Sequence, residues 1–292
     1  MSNPQVLRAA VWMIGAILAL TSMAVTGRMV LGELDTFEVM LYRSVIGVVL
    51  MTLVVGFGPG LGSVRTARPG LHLLRNAAHF AGQNLWFYAL TLIPLSTVFA
   101  LEFTSPIWVM VLAGLFLGER MTRTRVLALV AGFIGVLLVV RPGTGGDPLG
   151  LLTAALAAIG FAGSMVATRS LTSTESVLTI LFWLTVTQAV FGLAFAGFDG
   201  DIAWPSVGAW PAVAAIGLAG VAAHYCLTTA LSLAPATIVV PIDFARLPLA
   251  AVLGTMLYRE PIDIFVVLGA LLIFGGNYLN IWRESRAVAE SR

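Results

Sequence analysis

The 292-residue chain is 59% hydrophobic and 10% charged, with a formal net charge of +2. A soluble domain carries about 25% charged residues, and a mean hydropathy of +0.98 leaves too little polar surface for a water-facing shell, which excludes a soluble globular enzyme. All 16 basic residues are arginine, so P-loop ATP hydrolysis and lysine Schiff-base chemistry are excluded as well, and the near-neutral charge gives no sign of nucleic-acid binding.

A spanning helix takes about 20 apolar residues. Windows of that length predict ten helices, near 7–26, 37–56, 72–92, 94–118, 124–140, 148–168, 177–197, 208–231, 235–257 and 261–282. Breakers sit between them, including Gly58-Pro59-Gly60, Pro69-Gly70, Arg141-Pro142-Gly143 and Asp147-Pro148. Arg8, the following apolar run and Ser22-Met23-Ala24 imitate a cleaved signal peptide, but the helix count argues that the segment is retained. The lone Cys226 leaves redox compartment unread.

Arginine placement sets orientation. With the N-terminus inside, eleven arginines, among them Arg8, Arg65, Arg68, Arg75 and Arg169, fall on the cytoplasmic side, against Arg28, Arg141 and Arg259 outside. Both termini are therefore expected in the cytoplasm of a multi-pass protein in the cytoplasmic (inner) membrane, with the lipid bilayer as its solvent.

Shifting the chain by 141 positions aligns Ala89-Leu90-Thr91-Leu92-Ile93-Pro94 with Ala230-Leu231-Ser232-Leu233-Ala234-Pro235, and about nine of 31 positions agree through Glu119 and Glu260. Five helices separate each element from its copy, and an odd number inverts it across the membrane. The expected fold class is an all-α polytopic membrane protein: ten transmembrane helices as two five-helix inverted-topology repeats, over 1–143 and 144–284, with a cytoplasmic tail at 285–292. Such repeats are used for alternating access around a midplane site.

Leu115-Phe116-Leu117-Gly118-Glu119-Arg120, Leu137-Leu138-Val139-Val140-Arg141-Pro142-Gly143 and Tyr258-Arg259-Glu260-Pro261 resemble the EamA-type members of the drug/metabolite transporter superfamily. Among these the chain is most similar to the YddG-type exporters of aromatic and other amino acids. The resemblance covers nearly the whole chain and implies efflux from the cytoplasm, with no cofactor.

Polar groups at membrane depth mark substrate pathways. His72, Asn76, His79, Gln83 and Trp86 are spaced by 4, 3, 4 and 3, which puts them on one helical face. His79, Gln83 and Asn84 are expected to hydrogen-bond a polar substrate beside Trp86 and Tyr88, with His224 and Tyr225 opposite; interhelical bonding that only holds the bundle together is the alternative. His72 and Arg75 are expected among lipid headgroups. Glu102 and Asp243 are repeat-related acids available to a substrate ammonium or a proton. Arg246 is placed to pair with Asp243, and Arg43 to reach Glu102. These four charges sum to zero, which favours a neutral or zwitterionic substrate. Pro106, Pro241 and Pro248 are expected to kink the same helices as gating elements. Glu119 and Glu260 read as structural, and Gly132, Gly135, Gly269, Gly275 and Gly276 as close helix packing.

The leading expectation is therefore an exporter, secondary active or facilitative, of a small-molecule substrate, aromatic and other neutral amino acids. A broad-specificity drug or metabolite efflux carrier and a small-solute channel are the alternatives. No HExxH, second cysteine or G-x-S-x-G supports an enzyme, no metal site is implied, and one chain holding both repeats is sufficient as a monomer.

Overall fold

The computed structural model describes residues 4–118, 123–141, 146–198, 200–235, 239, 242–243, 246–259, 264–272, 274–276 and 278. These are helical or loop, with no strand among the described residues. The helices are α1 (Pro4–Val30), α2 (Thr36–Phe57), α3 (Pro69–Leu92), α4 (Leu95–Glu102), α5 (Ser105–Phe116), α6 (Arg123–Val140), α7 (Pro148–Leu171), α8 (Val177–Ala196), α9 (Trp210–Leu233) and α10 (Arg246–Tyr258), with further helical residues over 264–272.

Local sequence sets the starts. Asp35 caps α2 by accepting from the Glu38 amide at 2.7 Å while Glu38 accepts from the Asp35 amide at 2.8 Å, a reciprocal capping box. Asp147 accepts from the amides of Leu149 and Gly150 to open α7, and Ser176 accepts from Thr179 to open α8. Pro69 and Pro211 stand in the first turns of α3 and α9, where the missing N–H has no intrahelical acceptor in any case.

Six helical segments among the described residues are long and apolar enough to cross a bilayer: Gln5–Val30, Thr36–Phe57, Thr97–Phe116 (α4 and α5 taken together), Pro148–Leu171, Val177–Ala196 and Trp210–Leu233. The chain is accordingly a multi-pass membrane protein; of the other expected spans, 72–92 coincides with α3, long enough at 24 residues but less apolar because of its polar stripe, and the rest fall on α6, α10 and the helical residues from 264.

The repeat read from sequence recurs in the element boundaries. α2 starts at Thr36 and α8 at Val177, α3 at Pro69 and α9 at Trp210, α5 at Ser105 and α10 at Arg246; each pair stands 141 positions apart. Packing follows the same pairing: α1 lies on α9, α3 on α7, α2 on α8 and α4 on α10. These pairs interchange the first and third helices of the two halves, as a twofold relation between the repeats requires.

The fourth expected span is broken. α4 ends at Glu102, Phe103 and Thr104 turn, and α5 resumes at Ser105 with Pro106 in its first turn. Pro106 thus begins a half-helix, where its lack of an N–H leaves no bond broken, and is not a kink inside a continuous one. Pro248 lies within α10; Pro241, Glu119 and Glu260 lie outside the described residues.

Of the glycines expected in close packing, Gly135, Gly269 and Gly276 are buried, whereas Gly132 and Gly275 are not. A Cβ on Gly132 or Gly275 would meet nothing within 4 Å. On Gly160 it would lie 2.8 Å from the Ala78 carbonyl oxygen and 2.9 Å from Gly82 Cα, so α3 and α7 approach backbone to backbone there. The phase of the facing helix, which a single-helix reading lacks, decides which glycine is needed.

Candidate functional site: a cavity between α3, α7 and α9

The polar stripe of α3 is buried throughout: His72, Asn76, His79, Gln83 and Trp86 are each 0–5% exposed. Its two ends are tied to neighbouring elements. His72 Nε2 lies 2.6 Å from a Glu175 carboxylate oxygen. Asn76 Nδ2 donates to the Trp183 carbonyl at 3.1 Å, and Gln188 donates to the Asn76 carbonyl at 2.7 Å. His72 and Arg75 therefore sit inside the protein and not in headgroups, a correction with a clear cause. The α7–α8 turn supplies Glu175, and α7 supplies Thr168, which accepts from Arg75 Nε at 3.0 Å.

The middle of the stripe faces a cavity between α3, α7, α9 and the α4–α10 crossing. His79, Gln83 and Trp86 line it from α3, Phe161, Ser164 and Thr168 from α7, and His224 and Thr228 from α9. The His79 and His224 rings meet edge to face, centroids 4.6 Å apart. His224 also lines a second, smaller cavity with Arg43 and Gln188.

Glu102, Asp243 and Arg246 close one wall as a single ionic group. Arg246 donates from Nη2 to Glu102 at 2.6 Å and from Nε to Asp243 at 2.8 Å, with a second bond to the other Asp243 oxygen. Trp86 Nε1 donates to the remaining Glu102 oxygen at 2.8 Å. The guanidinium lies over the Phe99 and Phe103 rings, 5.0 and 5.5 Å from their centroids. Asp243 pairs with Arg246 as its spacing suggested. Glu102 does so too, so the expected Arg43–Glu102 pair is replaced by one between the end of α4 and the start of α10. Arg43 instead donates to Gln83 Oε1 at 3.0 Å.

Three expected lining residues are placed elsewhere. Asn84 lines neither cavity, and its Nδ2 is spent on the Phe80 carbonyl of its own helix at 2.9 Å. Tyr88 is 41% exposed, and Tyr225 is 39% exposed with its ring against Trp12. The reason is angular: successive helical residues are about 100° apart, so neither Gln83 with Asn84 nor His224 with Tyr225 shares a direction.

Sequence reasoning missed Arg75, Ser164, Thr168 and Thr228 as lining. Ser164 with Thr168, and His224 with Thr228, are polar pairs four residues apart in otherwise apolar helices, which was the available signal. Arg75 changes the charge count. Five buried charges, three arginines and two acids, now surround the cavities, so the zero sum that favoured a neutral substrate does not hold.

A family model described as the EamA-like transporter family matches residues 7–141 and, a second time, 148–282. The chain belongs to the EamA-like transporter family. It is 35% identical over 248 residues to a riboflavin transporter of Brucella anthropi, covering 84% of this chain and 87% of that one. An S-adenosylmethionine uptake transporter of Rickettsia felis is 28% identical, with 88% and 86% covered. A pseudopaline exporter of Pseudomonas aeruginosa is also 28% identical, with 82% and 84% covered. One crystal structure superposes over 96% of this chain and 98% of its own with a TM-score of 0.74 at 20% identity, a likeness of fold. This family member is thus a membrane transporter, with relatives named for uptake and for export.

Proposed function

We propose that this transporter carries a small amphipathic metabolite with a flat aromatic or heteroaromatic ring through the cavity between α3, α7 and α9. The reading includes ten spans in two inverted repeats, 1–143 and 144–284, in the cytoplasmic membrane with both termini inside; the positive-inside arginine bias supports that orientation. One observation carries the substrate class. Neutral hydrogen-bonding groups (Gln83, Ser164, Thr168 and Thr228) share one chamber with aromatic surfaces from Trp86, Phe161 and the His79–His224 pair. Such a lining suits a ring that stacks and a polar chain that needs donors and acceptors. Riboflavin and S-adenosylmethionine, for which two relatives are named, both join a nitrogen heterocycle to a hydroxylated five-carbon group, an open chain in the first and a ribose ring in the second.

Aromatic amino-acid export is the second reading, since an indole or phenyl ring fits the same lining. Its ammonium partner is the weak point. Glu102 and Asp243, the acids that would take it, are already held by Arg246. The same engagement supports facilitated transport over proton antiport through either acid.

Purified protein in liposomes, loaded with one compound and offered another, separates the readings. Saturable counterflow of riboflavin or S-adenosylmethionine, exceeding that of tryptophan, is the expected result. Exchange confined to tryptophan and phenylalanine would favour the amino-acid reading, and equal leak of all solutes without exchange would indicate a pore.

A further inference from the structure

The buried charges fall into two groups of opposite character. Around Arg246, two carboxylates enclose one guanidinium. Around His224, two guanidiniums approach with no carboxylate in ion-pair contact among the described residues. Arg43 bonds Gln83 and the sulfur of Met40, and Arg75 bonds Thr168 and Asn76, all of them neutral. Both arginines are buried, 6% and 3% exposed. A buried cation without a counter-charge is costly, and proteins rarely leave one so unless it meets a ligand.

The hydrogen-bond accounting points to the same place. Arg43 Nε, His79 Nε2 and His224 Nδ1 are buried and have no partner among the described residues. Such orphaned atoms are uncommon in folded proteins, and these three belong to neighbouring side chains, each more than nine-tenths buried. Gln83 holds Arg43 through Nη1 and so directs the guanidinium without consuming Nε. Gly220, one turn before His224, makes room for it: a Cβ there would lie 2.5 Å from Arg43 Nε and 3.2 Å from Nη2. The His79–His224 contact joins the central cavity to the one that contains Arg43.

We propose that Arg43, Arg75, His79 and His224 form a binding site for an anionic group, a carboxylate or a phosphate, on the transported metabolite. The proposal rests on the cavity being the substrate pathway and adds a chemical requirement to it. The guanidiniums supply charge-assisted donors, the imidazole nitrogens supply the remaining hydrogen bonds, and the ring of the same molecule lies toward Phe161 and Trp86. The Arg246 cluster at the far wall repels an anion with its acids and so fixes which way the molecule enters.

Matched pairs of ligands that differ only in charge test this. Riboflavin and its 5′-phosphate share a ring and differ by a phosphate; indole-3-propionamide and indole-3-propionate differ by a carboxylate. Binding to purified protein is read by fluorescence, and counterflow is measured in liposomes. The anionic member of at least one pair is expected to bind at least about tenfold more tightly than its neutral partner, and which pair responds identifies phosphate or carboxylate. In Arg43→Gln, Arg75→Gln and Gly220→Ala, each compared with wild type as folded protein, the ratio of anionic to neutral affinity falls toward unity. Equal binding within both pairs, or an unchanged preference in all three variants, overturns the anion site and leaves the carrier reading standing. Failure of all four compounds to bind or exchange removes the aromatic-substrate reading and the anion site together.

Discussion

At the scale of single residues, the contrast between Arg246 and Arg43 governs what substitutions do. Arg246→Met leaves Glu102 and Asp243 buried beside each other without a counter-charge, and breaking such a pair costs on the order of 3–5 kcal/mol. A large drop in melting temperature in detergent is expected, partly restored when Glu102→Gln and Asp243→Asn are added; a melting curve like wild type for the single variant would contradict the network. His79→Ala with Gln83→Ala acts differently. Both side chains line the cavity, so exchange is expected to fall at least about tenfold, the equivalent of one lost charged or bidentate contact, with a smaller fall in melting temperature than in Arg246→Met, because the buried Arg43 loses one neutral acceptor at Gln83 and not a paired charge. The α3 stripe that contains them was legible from sequence because one face of one helix is a local property. The Glu102–Arg246 bond was not, since it joins positions 144 residues apart, beside a helix break at Phe103–Thr104 that hydropathy does not register.

Elements meet where small residues permit. Gly160→Val would push a branched side chain against the α3 backbone at Ala78 and Gly82, and overpacking of this kind costs about 1–3 kcal/mol. Gly132→Ala faces open space and should be neutral or slightly stabilising, because alanine is the better helix former. Thermal unfolding of the two variants side by side checks both; equal melting would show that the α3–α7 approach is looser than described. The helix ends were readable, since Asp35, Pro69, Asp147 and Ser176 are chemical stop and start signals. The break at Phe103–Thr104 was half-readable: Pro106 announced an interruption, but whether proline kinks a helix or starts one depends on the residues before it. Which glycines mattered was readable only in part: Gly135, Gly269 and Gly276 are buried but Gly132 and Gly275 are not, and the tight Gly160–Gly82 approach is a property of a pair that one helix does not display.

For the whole molecule, the two halves are latched at both ends of the bundle. At the end where α3 begins, His72 and Thr66 bond Glu175, Arg68 donates to the Ser170 carbonyl at 3.2 Å, and Trp183 donates to the Val64 carbonyl at 2.9 Å. At the other end the Ala203 amide donates to Glu38, Tyr42 donates to the Ala203 carbonyl at 2.7 Å, and Ser206 bonds Glu33. A carrier that exposes one side at a time must open these sets in turn. Burial raises the Glu175 carboxyl, but hydrogen bonds from Thr66 and His72 outweigh it and leave the group below its ordinary value of 4.5. A carboxylate depressed in the folded state contributes stability that is present above the unfolded value and lost as pH falls through the folded one. The Glu175 carboxylate is therefore expected to stay ionised down past pH 4.5, and to contribute nothing to any change in latch stability between pH 6 and 8. Glu175→Gln should mimic the loss at neutral pH. With Cys226→Ser and Ser164→Cys in the background, a polar maleimide is expected to label the cavity cysteine faster from that end, and an unchanged labelling rate would remove Glu175 as a latch.

The two-repeat organisation was legible in the chain because duplication leaves both sequence identity and spacing behind. The substrate was not, because it depends on side chains that converge from three helices. Saturable counterflow in proteoliposomes measures the central claim, that a ring-bearing metabolite crosses through the cavity at His79, Gln83 and His224. Wild type is predicted to exchange riboflavin or its phosphate with saturation, and His79→Ala with Gln83→Ala to lose that exchange while still folding cooperatively. Wild-type exchange in the double variant would contradict the account.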